Sequence, residues 1–287
     1  MPLSPFTSLP ELDEHVLCVD VGGSAIKSVT LRCRTVKNFF DFLSGNPDAV
    51  VHREPWNPDK HGPSLLEMLK ASTRDQPQRI VLSIGGSEVS SNGRDYRGWL
   101  RNKGRVPTHL ADEIENTFRL ERGKVSIRND SLAWAQGVSS FLQYRKKSAN
   151  DGIGLLVVGT GVAFSVITDT GVTIRHLQTE NRYDWTKLSK FANFRPDDWI
   201  HDHLGTGYFH WRDKELSDSA ERQQETQKRY QLLLNELERV HHVSTFIFAG
   251  GWANELAKCR FSQNHSFLTK ASTGFDPGFI PMLGLVT

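Results

Sequence analysis

Cysteine is scarce in this chain: Cys18, Cys33 and Cys259 are the only three in 287 residues. They are far apart and odd in number, which argues against a disulfide-built secreted scaffold. No two are close enough for a Cys-x-x-Cys zinc site. A chain of this length buries a core that needs no cross-links, and it has room for one large domain or two ordinary ones. A run of about 18 apolar residues is also missing, so no membrane-spanning helix is expected. Met1 to Leu9 has no basic flank leading into an apolar stretch. It does not read as a signal peptide, and a cytoplasmic protein is the expectation. Charge of one sign is not in excess either: 35 Lys and Arg against 33 Asp and Glu leave a formal net charge of +2. That balance does not suggest a nucleic-acid partner.

What the chain does have is glycine turns between apolar runs. In His15 to Leu31, an apolar run ends in Asp20, Gly22-Gly23 follows, and a second β-rich run covers Ile26 to Leu31. This reads as a β-hairpin. Ile153 to Thr168 has the same shape around Gly159-Thr160-Gly161, about half a chain later. A coarse duplication into two α/β halves follows. Arg79 to Ile84 reads as a strand ending at Gly85-Gly86. Lys124 to Arg128 is a strand running into Asn129-Asp130, and Ser131 to Tyr144 has helical spacing. His109 to Phe118 reads as an amphipathic helix, and Ser217 to Val240 as a long polar one with a stripe of Leu232, Leu233, Leu234 and Leu237. Thr245 to Ala249 is a buried-type strand that stops at Gly250-Gly251, with a helix from Trp252 onward. Tyr183 to Asp213 has no clear period.

A glycine turn lets a ligand approach the backbone, so that successive N–H groups point at a phosphate. Ser24 and Thr160 add a hydroxyl donor to their turns. Asp20 suits a magnesium ion, usually through water, and Lys27 suits phosphate charge. The plainer reading of each turn is a hairpin and nothing more, but two alike favour the functional one. Asn129-Asp130 stands where a helix N-cap belongs, which is its plain reading. Its functional reading is a general base that takes a proton from a hydroxyl attacking a phosphoryl group. The two roles are compatible.

Together these segments resemble a family. Asp20-Val21-Gly22-Gly23-Ser24-Ala25-Ile26-Lys27 resembles the first phosphate motif of the ROK sugar kinases, within the actin/hexokinase/heat-shock-protein ATPase superfamily. Asn129-Asp130 is similar to the family's Asn-Asp, Gly159-Thr160-Gly161-Val162 to its second phosphate motif, and Phe248-Ala249-Gly250-Gly251 to its adenosine motif. Asp276-Pro277-Gly278 to Gly284 looks like the closing helix. The resemblance implies an α/β, two-lobed, ribonuclease-H-like (actin-like ATPase) fold with a cleft between the lobes. The N-terminal lobe would span 12–128, the C-terminal lobe 129–273, and 274–287 would pack back on the first. It implies ATP and Mg2+ as cofactors, with Asp20 toward the metal and Asp130 as the catalytic base. Gly22, Gly23, Ser24, Lys27, Gly159, Thr160, Gly161, Gly250 and Gly251 would hold the nucleotide. Gly86, Asp95, Trp99, Asn129 and His176 would face a sugar or sugar-derivative acceptor. A homodimer is usual in the family. A transcriptional regulator of that family is not expected, because the stretch before His15 is too short for a helix-turn-helix domain.

The departures from the family concern the acceptor side. The family's zinc cluster is absent, its Pro-Gly reads Gly85-Gly86, its sugar-binding Asn position holds Asp95, and Thr173 stands where a sugar-binding Glu would be. An amino sugar, a sugar derivative or another polyol is therefore expected rather than glucose. Arg94 to Arg105 carries Arg94, Arg97, Arg101, Lys103 and Arg105 against Asp95. This is either a solvated loop or a rim for an anionic substrate or a polyphosphate donor. Asp184-Trp185-Thr186-Lys187 is similar to a segment of bacterial polyphosphate glucokinases. His201, His203 and His210 are a loose metal pattern without a cysteine, and plain core or turn histidines fit better. His241-His242 suits a helix C-terminus. Two alternatives stay open beside an ATP-dependent sugar kinase: a polyphosphate-using glucokinase-like enzyme, and a catalytically silent nucleotide or sugar sensor.

Overall fold

In the computed structural model the described residues are 15–31, 36–46, 48–56, 63–73, 76–85, 87–89, 94–98, 106–149, 151–177, 180, 182–195 and 198–286. The chain divides into two compact units, Met1–Lys147 with Gly278–Thr287, and Ser148–Pro277.

The first unit is built on β1 (Val16–Val21), β2 (Ala25–Leu31), β3 (His52–Pro55) and β4 (Arg79–Ile84). A small ribbon of β5 (Ser87–Val89) and β6 (Tyr96–Gly98) precedes β7 (Val125–Asn129). The main sheet has the order β3-β2-β1-β4-β7. Its β3/β2 and β2/β1 pairs are antiparallel, and its β1/β4 and β4/β7 pairs are parallel. Every residue of β1 is buried, because both faces of the sheet are covered. Leu17, Val19 and Val21 pack on one side with Leu65 and Leu69 of helix Leu65–Ala71 and with Leu110 and Ile114 of helix Leu110–Phe118. Helices Asp130–Tyr144 and Phe279–Val286 pack on each other. The first also lies on β4 and β7, and the second on β1 and β4.

The second unit repeats this plan with β8 (Ile153–Val158), β9 (Val162–Thr168), β10 (Gly171–Arg175), β11 (Thr245–Ala249) and β12 (Asn264–Phe267). Its order, β10-β9-β8-β11-β12, has the same sequence of antiparallel and parallel pairs. The duplication and the ribonuclease-H-like architecture expected above are both present. Helix Ser219–His241 lays Tyr230, Leu233, Leu234 and Leu237 on Phe164, Phe246 and Phe248, with Leu232 only partly covered.

Three boundaries differ from the sequence reading. The first unit runs to Lys147 rather than stopping at 128, because helix Asp130–Tyr144 buries its apolar side within that unit. The helix after Gly250-Gly251 is a single turn, Ala253–Leu256. The segment without a period holds helix Thr186–Ala192, a 3-10 turn at Ile200–His203 and helix Thr206–Glu215. The side chains there are spent on local packing. Asp184 Oδ1 accepts the Thr186 N–H at 3.0 Å, Trp185 Nε1 donates to Leu177 O at 3.2 Å, and His203 stacks on Phe194.

Two features of the packing can be tested. Where helices Asp130–Tyr144 and Phe279–Val286 cross, a Cβ on Gly137 would overlap Ile280 O and one on Gly284 would overlap Ala133 O. This backbone-to-backbone crossing admits only glycine. Gly284→Ala is expected to lower stability by about 2 kcal/mol or more, read from the midpoint of urea unfolding; an unchanged midpoint contradicts the crossing. At the C-terminal end of the long helix, His241 Nε2 pairs with Tyr183 Oη at 2.7 Å, and its ring lies against Phe164. Burial, then Arg175, brings His241 down to about 4; Arg182 and His242 act the same way and Glu180 opposes them. It is a neutral ring, not the dipole-stabilised cation its helix position suggests. The unfolded chain binds this proton near pH 6.5 and the folded chain only near 4. Stability therefore falls as pH drops through that window. His241→Gln is expected to remove about 2 kcal/mol of the stability lost between pH 7 and pH 5; equal losses in the two proteins contradict it.

Candidate functional site

Sheet register brings the first charged group together. Asp20 lies opposite Lys27 on β2 and opposite Ser83 on β4. Lys27 Nζ donates to Asp20 Oδ2 at 2.7 Å, and the buried Ser83 Oγ donates to Oδ1 at 2.7 Å. The buried carboxylate is thus held from both sides. One strand further, Ile84 lies opposite Asn129, so Asp130 emerges at the carboxyl end of β7 beside Gly85. In open α/β sheets ligands bind at these carboxyl ends.

Asn129 is the N-cap of the following helix, its Oδ1 accepting the Ser131 N–H at 2.9 Å. Asp130 Oδ1 accepts the same N–H at 2.7 Å and the Ser131 hydroxyl at 3.2 Å. Its other oxygen faces Gly85: a Cβ there would lie 2.8 Å from Oδ2. Burial first, and the negative charge of Asp20 second, push the Asp130 carboxyl above its ordinary range, against the pull of Ser131 and Lys27. A carboxylate with raised proton affinity is a stronger base near neutral pH.

The second sheet serves as an internal control. Matching the closing pairs of the two hairpins, Val21–Ile26 and Val158–Val162, sets Asp20, Lys27 and Ser83 against Val157, Ala163 and Ala249. The same alignment sets Arg128 against Leu268, Asn129 against Thr269 and Asp130 against Lys270. Thr269 is also an N-cap, its side chain accepting the Ser272 N–H. The cap therefore belongs to the fold, which repeats it. The Asp–Lys–Ser trio and Asp130 do not, because the twin sheet builds the same strands with apolar residues in place of the trio and with a lysine in place of the aspartate.

Both glycine turns leave donors free. In the first, Gly22 N–H closes on Ala25 O at 3.0 Å; in the second, Gly159 N–H closes on Gly161 O at 2.9 Å. The N–H groups of Gly23 and Ser24, and of Thr160 and Gly161, have no partner among the described residues. The second turn is also fixed from outside. Thr206 donates its N–H to Gly159 O at 2.9 Å and to Thr160 O at 3.2 Å, and its hydroxyl to Gly159 O at 3.0 Å. Trp252 Nε1 donates to Thr206 Oγ1 at 2.9 Å, and its ring stacks on Phe209 at 4.2 Å. Gly250 has φ +93° and abuts Val158 O, so backbone geometry alone requires it, whereas Gly251 borders open space. Sequence reasoning missed Ser83, Thr206 and Trp252 as parts of this arrangement. The one available signal was a serine interrupting the apolar run Arg79 to Ile84.

The acceptor-side residues are scattered. Gly86 and Trp99 lie outside the described residues, as do Arg101, Lys103 and Arg105. Asp95 Oδ1 pairs with His109 Nδ1 at 3.0 Å. Arg94 is not a free cation of a rim: it is bound to Asp112 and, at 2.6 Å, to Glu115. His176 is exposed, and its N–H donates to Glu180 Oε1 at 3.0 Å. Among the described residues no group of three or more His, Cys, Asp or Glu is arranged to hold a metal.

No protein-family model matches the sequence, and no curated protein matches it significantly. Solved structures do. The polyphosphate/ATP-glucomannokinase from Arthrobacter sp. strain KM superposes with a TM-score of 0.63 at 13% identity, over 94% of this chain and 98% of that one. A glucokinase from an Antarctic psychrotroph gives 0.57 at 13%, over 95% and 97%. The ROK family glucokinase from Streptomyces griseus, solved with glucose and AMPPNP, gives 0.54 at 14%, over 95% and 98%. At such identities the likeness is one of fold: this chain has the two-unit fold of ROK-family sugar kinases.

Gly85 gives a test of the site's geometry. Gly85→Ala is expected to displace the Asp130 carboxylate and to cost about 1–3 kcal/mol of stability, measured by a crystal structure and by denaturant unfolding. An unmoved Asp130 with unchanged stability contradicts the close approach.

Proposed function

We propose that the protein is a sugar kinase of the ROK type, transferring a phosphoryl group from ATP to a hydroxyl of a sugar or sugar derivative. The observation that carries this reading is the contrast between the two sheets. The first has Asp20, Ser83 and Asp130 at the carboxyl ends of β1, β4 and β7, with Lys27 of the antiparallel β2 beside Asp20, where the second is apolar or carries a lysine. The two glycine turns, each with two free N–H groups, supply donors for phosphate oxygens.

The residues fit Mg2+ in the way that ion is commonly held, through one or two carboxylates with waters and phosphates completing the shell. Asp20 would hold it through water, since both its oxygens already accept hydrogen bonds. Bound ATP supplies the phosphoryl group, and Mg2+ offsets charge on its oxygens. Asp130 accepts the proton of the acceptor hydroxyl at Oδ2, the oxygen that Ser131 leaves free. Lys27, one short step from Asp20, offsets phosphate charge. Gly22, Gly23 and Ser24, and Gly159, Thr160 and Gly161, bind phosphate oxygens through backbone N–H groups, and Gly251 leaves room for the flat base. Asp95 and His176 bear on the acceptor, with Gly86 and Trp99 in the same role. Because Asp95 and Thr173 stand where the resembled family has its sugar-binding Asn and Glu, an amino sugar or sugar derivative is the acceptor class that fits.

Polyphosphate is the second donor to test, since the structure with the TM-score of 0.63 is a polyphosphate/ATP enzyme. With Arg94 committed to Asp112 and Glu115, that donor would rely on other cations.

A mass-spectrometric screen of sugars and amino sugars, with ATP and polyphosphate as donors, tests the reading; binding of ATP with no phosphorylated product favours the silent sensor. Asp130→Asn is expected to lower kcat by about 10²–10⁴-fold with nucleotide affinity kept. Its melting temperature is expected to hold or rise. The folded state raises the pKa of Asp130, so ionisation of this group weakens the fold as pH climbs, and Asn relieves that. Near wild-type kcat in the variant contradicts the base assignment.

A further inference from the structure

His201 has no part in the proposed chemistry, yet it touches the second glycine turn directly. The 3-10 turn Ile200–His203 sets its ring against Gly161, where a Cβ would lie 3.3 Å from Nδ1. Val162, the residue that follows the turn, donates its N–H to His201 Nδ1 at 3.1 Å. The Trp199 ring lies beside the imidazole, 4.8 Å between centroids. A ring nitrogen that accepts a hydrogen bond carries no proton, so the neutral ring is protonated on Nε2. Burial first holds the ring below its ordinary value; His176 pushes the same way, and Asp202 opposes.

The bond matters for what the turn has left to offer. Gly159 N–H is used within the turn and Val162 N–H by His201, which leaves those of Thr160 and Gly161. The first hairpin has no such latch: no side chain bonds the backbone of Gly22 to Ala25 among the described residues.

We propose that His201, unprotonated on Nδ1, is the positioning residue of the second glycine turn. It holds Val162 so that the N–H groups of Thr160 and Gly161 stay free as a pair for an oxyanion. Addition of a proton to Nδ1 replaces the acceptor with a second donor, breaks the bond and releases the turn. The role in anion binding rests on the phosphate reading of the turn given above.

Two measurements test it. Imidazole ¹⁵N spectra of the unliganded wild-type protein are expected to show the Nε2–H tautomer at His201 near pH 7.5, with the Val162 amide shifting as the ring titrates; an Nδ1–H tautomer overturns the proposal. Calorimetry with MgATP and with inorganic tripolyphosphate then compares variants near pH 7.5 and 5.5. His201→Leu is expected to bind about tenfold more weakly near pH 7.5, the scale of one lost hydrogen bond. His201→Asn, whose carbonyl offers an acceptor in place of Nδ1, is expected to stay within about threefold of wild type near pH 7.5 and to weaken less than wild type between pH 7.5 and 5.5. Wild-type affinity in His201→Leu, or an unaltered acid response in His201→Asn, overturns the latch. Failure of the wild-type protein to bind either polyanion refutes the phosphate reading of the turn instead, and the tautomer measurement still decides whether the latch exists.

Discussion

The structure of the candidate site depends on one buried carboxylate. Asp20 sits in the middle of a sheet whose first strand is covered along its whole length, and burial of a lone charge there would cost several kcal/mol. Register solves this by placing an ammonium on one side and a hydroxyl on the other, both at 2.7 Å. Once that charge is fixed, it acts on its neighbour. Asp130, two strands away at the same edge, is raised in proton affinity by burial and by Asp20. One carboxylate is tied and the other is loosened, and such a division of environments separates the roles of paired acids.

The duplicated fold makes it possible to say which features stability requires. Both sheets have the same strand order, the same hairpins and an N-cap at the same register position. Only one carries the charged trio and the aspartate. Groups that a fold can do without, set at the carboxyl edge where ligands bind, are expected to lower stability in exchange for activity. The helix crossing at Gly137 and Gly284 has the opposite character. It fixes the helix that begins at Asp130, and Arg128 adds to this by donating to Gly284 O and Gln136 Oε1 at 2.9 Å.

Much of this was legible in the sequence. Apolar runs broken by Gly22-Gly23 and Gly159-Thr160-Gly161 marked both hairpins, and the half-chain spacing marked the duplication. Asp20 and Asn129-Asp130 were visible because each stands at the end of a strand, and Lys27 because it follows the first glycine turn. What was hidden depends on contacts between segments distant in sequence. Ser83 meets Asp20 across 63 positions and His201 meets Val162 across 39, and no local pattern encodes either. Thr206 and His201 also lie in a stretch of short helices rich in Trp, His and Asp, where three turns of structure are too brief to show a period. The 129 boundary failed for a similar reason: a helix joins whichever unit covers its apolar side, and local spacing does not say which that is.

The most direct test of the account transplants the second sheet's residues into the first. The triple variant Asp20→Val, Lys27→Ala, Ser83→Ala gives β1, β2 and β4 the trio that β8, β9 and β11 already carry. Measured by thermal unfolding and by ATP-dependent phosphorylation of the acceptor found in the sugar screen, it is predicted to fold with a melting temperature no lower than wild type and to transfer no phosphoryl group. A variant that unfolds would show the trio to be structural, and one that keeps its activity would show that the reaction lies elsewhere; either result contradicts the account.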